Sequence, residues 1–203
     1  MKVKYLVAGP GRTGSVLIAT LLSKATGFRI VTDITPHKDE IASPVIYHSH
    51  IATIQLSEDV ITVCPIRTNL FDSILSSVIA EHTAEWFHYS GVTELIKVDF
   101  DLVEKKYIWC KRWQEAFSYY THYKNKIYLD FNQFTEDPAV VFKAVGLLPP
   151  ENITLTTKKS PYGKHNILNF EELEYFFKKL ECDTIINSCP ITEFDWGNHR
   201  AIE

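Results

Sequence analysis

The segment at the start of the chain constrains the fold more than any other part of the sequence. A short run of apolar and β-branched residues, Val3–Ala8, leads into the glycine-rich stretch Gly9–Gly14. Apolar residues then recur from Ser15 to Lys24 as in a mostly buried helix, and Gly27 marks its end. A buried strand that enters a tight loop and continues as a helix is typical of α/β folds with parallel sheets.

The rest of the chain repeats this alternation of strands and helices. Further strands are predicted at Pro44–Ser49, Val60–Ile66 and Lys126–Phe131. Helices are predicted over about residues 69–81, 102–123, 138–146 and 170–180, with Asn69 and Asn169 as N-caps. This order predicts an α/β fold of three layers around a central, mainly parallel sheet. In such folds ligands bind beyond the carboxyl ends of the strands.

Length and composition favour a single domain that spans residues 1–203. Hydrophobic residues make up 45% of the 203 residues and charged residues 23%, close to the average of globular proteins. The net charge of −4 argues against general binding to nucleic acid or to a membrane surface, which requires a basic excess. A basic binding site in this chain must therefore be local.

The cysteines and the apolar segments indicate a soluble, cytoplasmic protein. The four cysteines are too few for a disulfide scaffold, and none lies at the CxxC spacing of a zinc site. The apolar run at the start is interrupted by Pro10–Arg12, so no signal peptide is expected. No window is apolar over the roughly 20 residues that a membrane span requires.

The segment Gly9–Ser15 has the composition of a phosphate-binding loop. Its glycines allow the backbone to approach an anion, and N–H groups at the start of the helix donate to it. Thr13 and Ser15 add hydroxyl groups, and Arg12 adds a planar cation. The Gly-Lys-Ser/Thr ending of a Walker A motif is missing, which disfavours a nucleotide kinase or GTPase. The alternative is an ordinary strand-to-helix turn with a solvated arginine.

A second anion site is predicted at Arg67, which follows the apolar strand Val60–Ile66. The next helix carries Ser73, Ser76 and Ser77, and a hydroxyl on that helix can complete the grip of an arginine on a phosphate. The alternative is an arginine that caps the edge of the sheet or pairs with Asp72.

Two histidines, His48 and His50, lie at the end of the strand Pro44–Ser49. Because side chains alternate along a strand, the two imidazoles are expected on the same side. An imidazole titrates near neutral pH and can take a proton from an acceptor hydroxyl or amine. The alternatives are histidines of a solvated loop or a fortuitous metal pair.

Four segments resemble motifs of the sulfotransferase family, in the same order along the chain. Gly11–Ser15 resembles the loop that binds the 5′-phosphosulfate, and Val45–Ile51 resembles the segment with the catalytic histidine. Val63–Ser77 resembles the 3′-phosphate motif, although a proline is missing and one residue is added. Tyr128–Leu148 resembles a strand-helix unit of the family.

The resemblance implies a fold of the P-loop-containing nucleotide hydrolase type and the donor 3′-phosphoadenosine 5′-phosphosulfate (PAPS), with no metal. His50 then falls on the catalytic base and His48 on a catalytic lysine, so that Arg12 has to supply more of the positive charge. The implied donor contacts are Gly11, Arg12, Thr13, Gly14, Ser15, Val16, Arg67, Ser76, Phe131 and Lys159. Ser73 and Ser77 remain rivals of Ser76, and a solvated basic loop remains the alternative for Lys158, Lys159 and Lys164.

The acceptor is expected to be a small molecule or a glycan, with a wall formed by the aromatic cluster Trp86–Tyr89. Two other functions are compatible with the sequence. One is a small P-loop phosphotransferase, and the other is a nucleotide-binding protein of the same fold that has lost its chemistry.

Overall fold

The computed structural model describes residues 2–32, 44–52, 59–83, 94–120, 126–151 and 164–183. The strands are β1 (Lys2–Ala8), β2 (Arg29–Thr32), β3 (Pro44–Ser49), β4 (Ile61–Ile66) and β5 (Lys126–Asp130). The helices are α1 (Ser15–Thr26), α2 (Leu70–Thr83), α3 (Phe100–Tyr120), α4 (Phe131–Glu136), α5 (Ala139–Ala144) and α6 (Phe170–Asp183). A 3₁₀ turn, Lys164–Asn166, precedes α6.

The strands form one sheet in the order β2-β3-β1-β4-β5, and every pair of neighbours is parallel. The predicted parallel α/β fold is therefore confirmed. Because β1 occupies the centre, the loop that follows it lies between the loops after β3 and β4. All the carboxyl ends meet at one edge of the sheet, where the predicted site residues lie.

Helices cover both faces of the sheet and give three layers. In β1, Tyr5 and Val7 pack on the side of α1, α4 and α5, whereas Leu6 and Ala8 pack on the side of α3. This alternation is the two-residue period of a strand that is buried on both faces. A further apolar cluster joins α2, α3 and α6. No helix within the described ranges is long and apolar enough to cross a membrane.

The helix ends show which capping predictions hold. The N–H of Gly27, at a φ of 70°, bonds to Ser23 and ends α1 as predicted. Asn69 caps α2, because its Oδ1 accepts from the N–H of Asp72 at 3.2 Å. The side chain of Asn169 does not cap α6. It bonds to the N–H and the C=O of Val98 instead, at 3.0 and 2.9 Å, and thereby fixes the segment before α3 to the start of α6.

Two elements are absent from the sequence prediction. The edge strand β2 has only four residues, too few for a recognisable period. The helix α4 begins at Phe131, which was predicted as the end of a strand. Asp130 causes the change, because its Oδ1 accepts from the N–H groups of Asn132 and Gln133 and so caps α4.

Asp130 also connects two loops at the carboxyl edge of the sheet. Its Oδ2 accepts from both the N–H and the hydroxyl of Thr68, which follows β4. The Thr68 hydroxyl contributes most to lowering the pKa of Asp130, and the backbone N–H groups add to it against the opposing effect of burial. The loop after β4 is therefore held against α4.

Asp130→Asn should lower the free energy of unfolding at neutral pH and make it decrease less steeply as the pH falls. The lowered pKa means that the unfolded chain binds the proton more tightly, so the stabilisation is present above the unfolded pKa of about 3.9 and is lost as the pH falls through the folded pKa. We expect a loss of about 0.5–1.5 kcal/mol at pH 7 in urea denaturation. Glu136→Gln, at an exposed position of α4, should change stability by less than about 0.5 kcal/mol. An equally steep loss of stability in acid for Asp130→Asn and the wild type would contradict this role.

Candidate functional site

Four segments that end or follow strands bring most of the predicted site residues that the structure describes to one edge of the sheet. The loop after β1 carries Arg12–Ser15, the end of β3 carries the two histidines, Arg67 follows β4, and Phe131 follows β5. Within a parallel sheet these ends are neighbours because the strands that carry them are hydrogen-bonded side by side. Lys158, Lys159 and the cluster Trp86–Tyr89 lie outside the described residues.

The loop after β1 has the backbone of an anion-binding turn. Arg12 and Gly14 adopt left-handed conformations with φ of 66° and 88°. The hydroxyl of Thr13 donates to the carbonyl of Pro10 at 2.7 Å and closes the turn from within. Helix α1 begins directly after it, at Ser15, and its first N–H groups have no acceptor inside the helix. Such N–H groups together with the helix dipole favour a bound anion.

Gly14 is the tightest point of this loop. A Cβ atom at this position would lie 2.7 Å from Cζ of Phe134 and 2.9 Å from Cδ2 of Phe131. The two rings belong to α4 and pack edge to face. Gly11, in contrast, has no heavy atom within 4 Å of such a Cβ. The loop is therefore held by α4 on one side and open on another.

Val16, which the sequence predicts to contact the sulfuryl donor, is more exposed than the helix residues that follow it. It is 45% exposed, whereas Ile18, Ala19 and Leu22 are fully buried against the sheet. The sequence prediction of a mostly buried helix holds from Ile18 onward. At Val16 the first turn of α1 presents an apolar side chain to the open edge.

His48 lies inside the protein and bonds to the phosphate loop. Its Nε2 is 2.9 Å from Oγ of Ser15, and the two residues are 7% and 3% exposed. In the sheet His48 pairs with Val7 of β1 and Thr32 of β2, so it sits on a central strand. The strand period turns it toward the side of the sheet that α1 covers, as it does Ile46.

His50 is exposed and is fixed at two points. Its Nδ1 donates to the carbonyl of Gly9 at 2.7 Å, so that the proton of the neutral ring lies on Nδ1 and Nε2 is the basic nitrogen. Its own carbonyl accepts from Nε1 of Trp113 at 2.7 Å. The rings of His48 and His50 meet edge to face, with centroids 4.9 Å apart, as the predicted placement on one side requires.

The two predicted anion motifs meet through Arg12 and α2. The Nε of Arg12 donates to Oγ of Ser76 at 3.0 Å, across 64 residues of sequence. Ser73, one of the rivals, is 1% exposed and lies on the face of α2 that packs into the protein. Ser76 thus contacts the loop after β1, and Ser77 is half-buried like Ser76. Which of these serines binds a phosphate stays a prediction.

Arg67 lies at the same edge, over the ring of Phe131. Its guanidinium carbon is 4.0 Å from the ring centroid, a cation–π contact that orients the guanidinium plane. The contact of Phe131 with a nucleotide base stays a prediction. In the structure the ring of Phe131 contacts the guanidinium of Arg67 and supports it. Lys164, a further candidate, is exposed and lies 4.9 Å above the ring of Phe170.

Two contributors to this edge escaped the sequence prediction. Trp113 of α3 is buried and stacked on Phe117, as core aromatics of a helix are. Its indole N–H, however, supports His50, which no spacing along the chain reveals because the contact joins α3 to the end of β3. Thr68 and Asp130 form the other missed contact, for which the Asp-Phe-Asn sequence that starts at the last residue of β5 offers only a weak capping signal.

The buried cysteines contribute no nucleophile. Burial raises the pKa of both Cys64 and Cys110 to about 12, against the opposing effect of nearby lysines. A thiol with such a pKa is protonated at neutral pH and therefore unreactive. Cys64 and Cys110 are therefore not candidates for a catalytic nucleophile.

The fold matches that of known proteins although the sequence does not. The crystal structure of a sulfotransferase from Alicyclobacillus acidocaldarius matches with a TM-score of 0.51 and 12% identity, over 89% of this chain and 93% of that chain. No protein-family model and no curated protein matches the sequence. At this identity the likeness shows a common fold, which confirms the expected sulfotransferase-like α/β architecture. A fold does not by itself determine a reaction.

Gly14→Ala should destabilise the protein, and Gly11→Ala should not. A left-handed φ costs a residue with a Cβ about 1–2 kcal/mol, and the methyl group would also collide with Phe131 and Phe134. We expect a decrease of at least about 1 kcal/mol for Gly14→Ala in urea denaturation, against less than about 0.5 kcal/mol for Gly11→Ala. Equal effects of the two substitutions would show that the loop is not packed against α4 in this way.

Proposed function

We propose that the protein is a sulfotransferase that moves a sulfuryl group from PAPS to a hydroxyl or amine. The contact between Arg12 and Ser76 carries this proposal, because it joins the loop after β1 to α2, the two segments that the sequence predicts to bind anions. A nucleotide with phosphates at both its 3′ and 5′ positions needs two adjacent anion sites. The sulfotransferase-like fold supports the same interpretation.

The residues of the edge divide between the two ends of the donor. The N–H groups at the start of α1, with the Ser15 hydroxyl and the backbone of Gly11, Thr13 and Gly14, would bind the 5′-phosphosulfate. The Thr13 hydroxyl, predicted as a further donor, gives its single proton to the Pro10 carbonyl instead. Arg67 and Ser76 would bind the 3′-phosphate, with the guanidinium oriented by Phe131. Arg12 lies between them and contributes charge to both.

His50 would act as the base. Because its Nδ1 donates to Gly9, its Nε2 can accept the proton of the acceptor hydroxyl or amine. The acceptor oxygen or nitrogen attacks sulfur, and the bond between sulfur and the bridging oxygen of the 5′-phosphate breaks. The products are the sulfated acceptor, adenosine 3′,5′-bisphosphate and a proton on His50. The hydrogen bond that fixes the base is thus made to the first residue of the phosphate loop.

The leaving phosphate gains negative charge as this bond breaks. Arg12 and the N–H groups of α1 would stabilise that charge, because they are already oriented before the reaction begins. The chain as a whole carries a net charge of −4, so this stabilisation has to come from local groups. The proposed mechanism therefore depends on the few cations and dipoles at the carboxyl edge of β1 and β4.

Calorimetry distinguishes this function from its rivals. We expect adenosine 3′,5′-bisphosphate to bind without a divalent metal and more tightly than ATP with magnesium. Preference for ATP with magnesium would instead indicate a phosphotransferase. Binding of the bisphosphate without turnover of radiolabelled PAPS, over a panel of phenol, alcohol, amine and glycan acceptors, would indicate a binding protein that has lost its chemistry.

Arg67→Ala should weaken binding of adenosine 3′,5′-bisphosphate by about 1.5–3 kcal/mol, the range for hydrogen bonds to charged groups. Binding of adenosine 5′-monophosphate, which lacks the 3′-phosphate, should hardly change. Arg29→Ala removes an exposed arginine from β2 and serves as the matched control. Equal losses for the two nucleotides would show that Arg67 does not bind the 3′-phosphate.

His50→Asn separates the chemical role of His50 from its structural one. The amide nitrogen of asparagine can replace Nδ1 as donor to Gly9, whereas the basic Nε2 is lost. We expect the transfer rate to fall by ~10²–10⁴, the usual contribution of a positioned base, with bisphosphate affinity nearly unchanged. His165→Ala, at an exposed histidine of the 3₁₀ turn, is the control. A fully active His50→Asn protein would remove His50 from the mechanism.

A further inference from the structure

His48 occupies a position that its resemblance to a catalytic lysine does not explain. A lysine at this position would bring a charge to the transferred group, but the imidazole of His48 is buried and bonded to Oγ of Ser15. Ser15 is the first residue of α1 and thus stands where an anion would bind. His48 therefore reaches the anion site through the Ser15 hydroxyl.

A serine hydroxyl has a single proton, and its neighbours decide where that proton points. If His48 accepts the proton, Ser15 presents only lone pairs to the loop and repels an anion. If Nε2 of His48 carries a proton, it donates to Oγ, and the Ser15 proton is directed away from His48. Because both residues are buried, water cannot readily replace either partner.

We infer that His48 is a positioning residue that holds a proton on Nε2 and thereby turns the Ser15 hydroxyl toward the 5′-phosphosulfate of the donor. This inference rests on the proposed function for the identity of the anion. It gives the two histidines opposite tautomers, because Gly9 fixes the proton of His50 on Nδ1. One histidine then prepares the donor site, and the other keeps a basic Nε2 for the acceptor.

The fold explains why one strand can supply both functions. His48 is still within the sheet, next to β1 and β2, and is covered by α1. His50 lies beyond the last residue of β3 and is exposed, so its ring reaches the Gly9 carbonyl. A shift of two residues along the chain thus takes the side chain from the interior to the open edge of the site.

A double-mutant cycle tests the contact. His48→Leu and Ser15→Ala should each weaken binding of adenosine 3′,5′-bisphosphate by at least about tenfold, since each removes the oriented hydrogen bond to a charged phosphate. In the double mutant, the second substitution should weaken binding by less than about twofold beyond the effect of the first. His48→Gln, whose amide nitrogen can replace Nε2 as a donor, should bind within about threefold of the wild type. Thr20→Ala removes another hydroxyl from α1 and should have no effect on binding.

Two monophosphates separate positioning from a merely structural contribution. His48→Leu should weaken binding of adenosine 5′-monophosphate and leave adenosine 3′-monophosphate unchanged, which is the reverse of the pattern expected for Arg67→Ala. Equal losses of affinity for both nucleotides would overturn the inference. So would a double mutant whose loss of affinity is the product of the losses in His48→Leu and Ser15→Ala. If the His48→Leu protein does not fold, the nucleotide affinity of His48→Gln and the tautomer of His48 in the wild type test the inference instead.

The tautomer can be measured without any ligand. In long-range proton–nitrogen spectra of the wild type we expect the proton of His48 on Nε2 and that of His50 on Nδ1, assigned by loss of each signal in His48→Gln and His50→Asn. A proton of His48 on Nδ1 alone would overturn the inference. A wild type that binds inorganic phosphate but no adenosine bisphosphate would contradict the proposed function alone, and the same cycle with inorganic phosphate would then decide the role of His48.

Discussion

Both polar groups of the Gly9 backbone, its N–H and its carbonyl, form hydrogen bonds with residues at the end of β3. The arrangement of the site depends on this connection. Its N–H donates to the carbonyl of Ser49 at 3.3 Å, and its carbonyl accepts from Nδ1 of His50 at 2.7 Å. The first of these bonds continues the parallel ladder of β1 and β3 beyond the last strand residue. The second fixes an imidazole. The start of the phosphate loop and the proposed base are therefore positioned by the same peptide units.

The order of the strands extends this connection to the rest of the edge. With β1 in the centre, the loop after it can contact β3 on one side and, through Arg12, the helix that follows β4 on the other. Two aromatic rings of α4 pack against Gly14 in the loop after β1. Asp130 fixes the loop after β4 to α4. Arg12 and Arg67 thus each have a neighbour that orients the guanidinium before a ligand arrives, as the proposed electrostatic stabilisation requires.

The sequence predicted the parallel α/β fold and its main strands because apolar runs and glycine loops are local signals. It also predicted which segments meet, since the loops after β1, β3 and β4 all leave from carboxyl ends. It did not predict β2, which is short, or α4, where the Asp130 cap overrides a run that continues the pattern of a strand. Asn169 has the residue type of a cap, but Val98 offers its side chain two hydrogen bonds that no local pattern reveals.

Within the candidate site, the residue types and the placement of the two histidines on one side were predictable, but the partner of each side chain was not. The pairing of His48 with Ser15, and of His50 with Gly9 and Trp113, depends on which side of the sheet each helix covers. The contact of Ser76 with Arg12 depends on the rotation of α2, which buries Ser73 and leaves Ser76, three residues further on, half-buried beside Arg12. Such directions are set by packing between distant segments, and a single sequence does not contain them.

A crystal structure with adenosine 3′,5′-bisphosphate would show directly whether the two predicted anion sites bind one ligand. We expect one nucleotide at the carboxyl edge of β1. Its 5′-phosphate should lie on the N–H groups of Gly14 and Ser15, within hydrogen-bond distance of the Ser15 hydroxyl, and its 3′-phosphate should contact Arg67 and Ser76. A nucleotide bound at another face, or one whose 5′-phosphate lies away from the start of α1, would contradict this expectation.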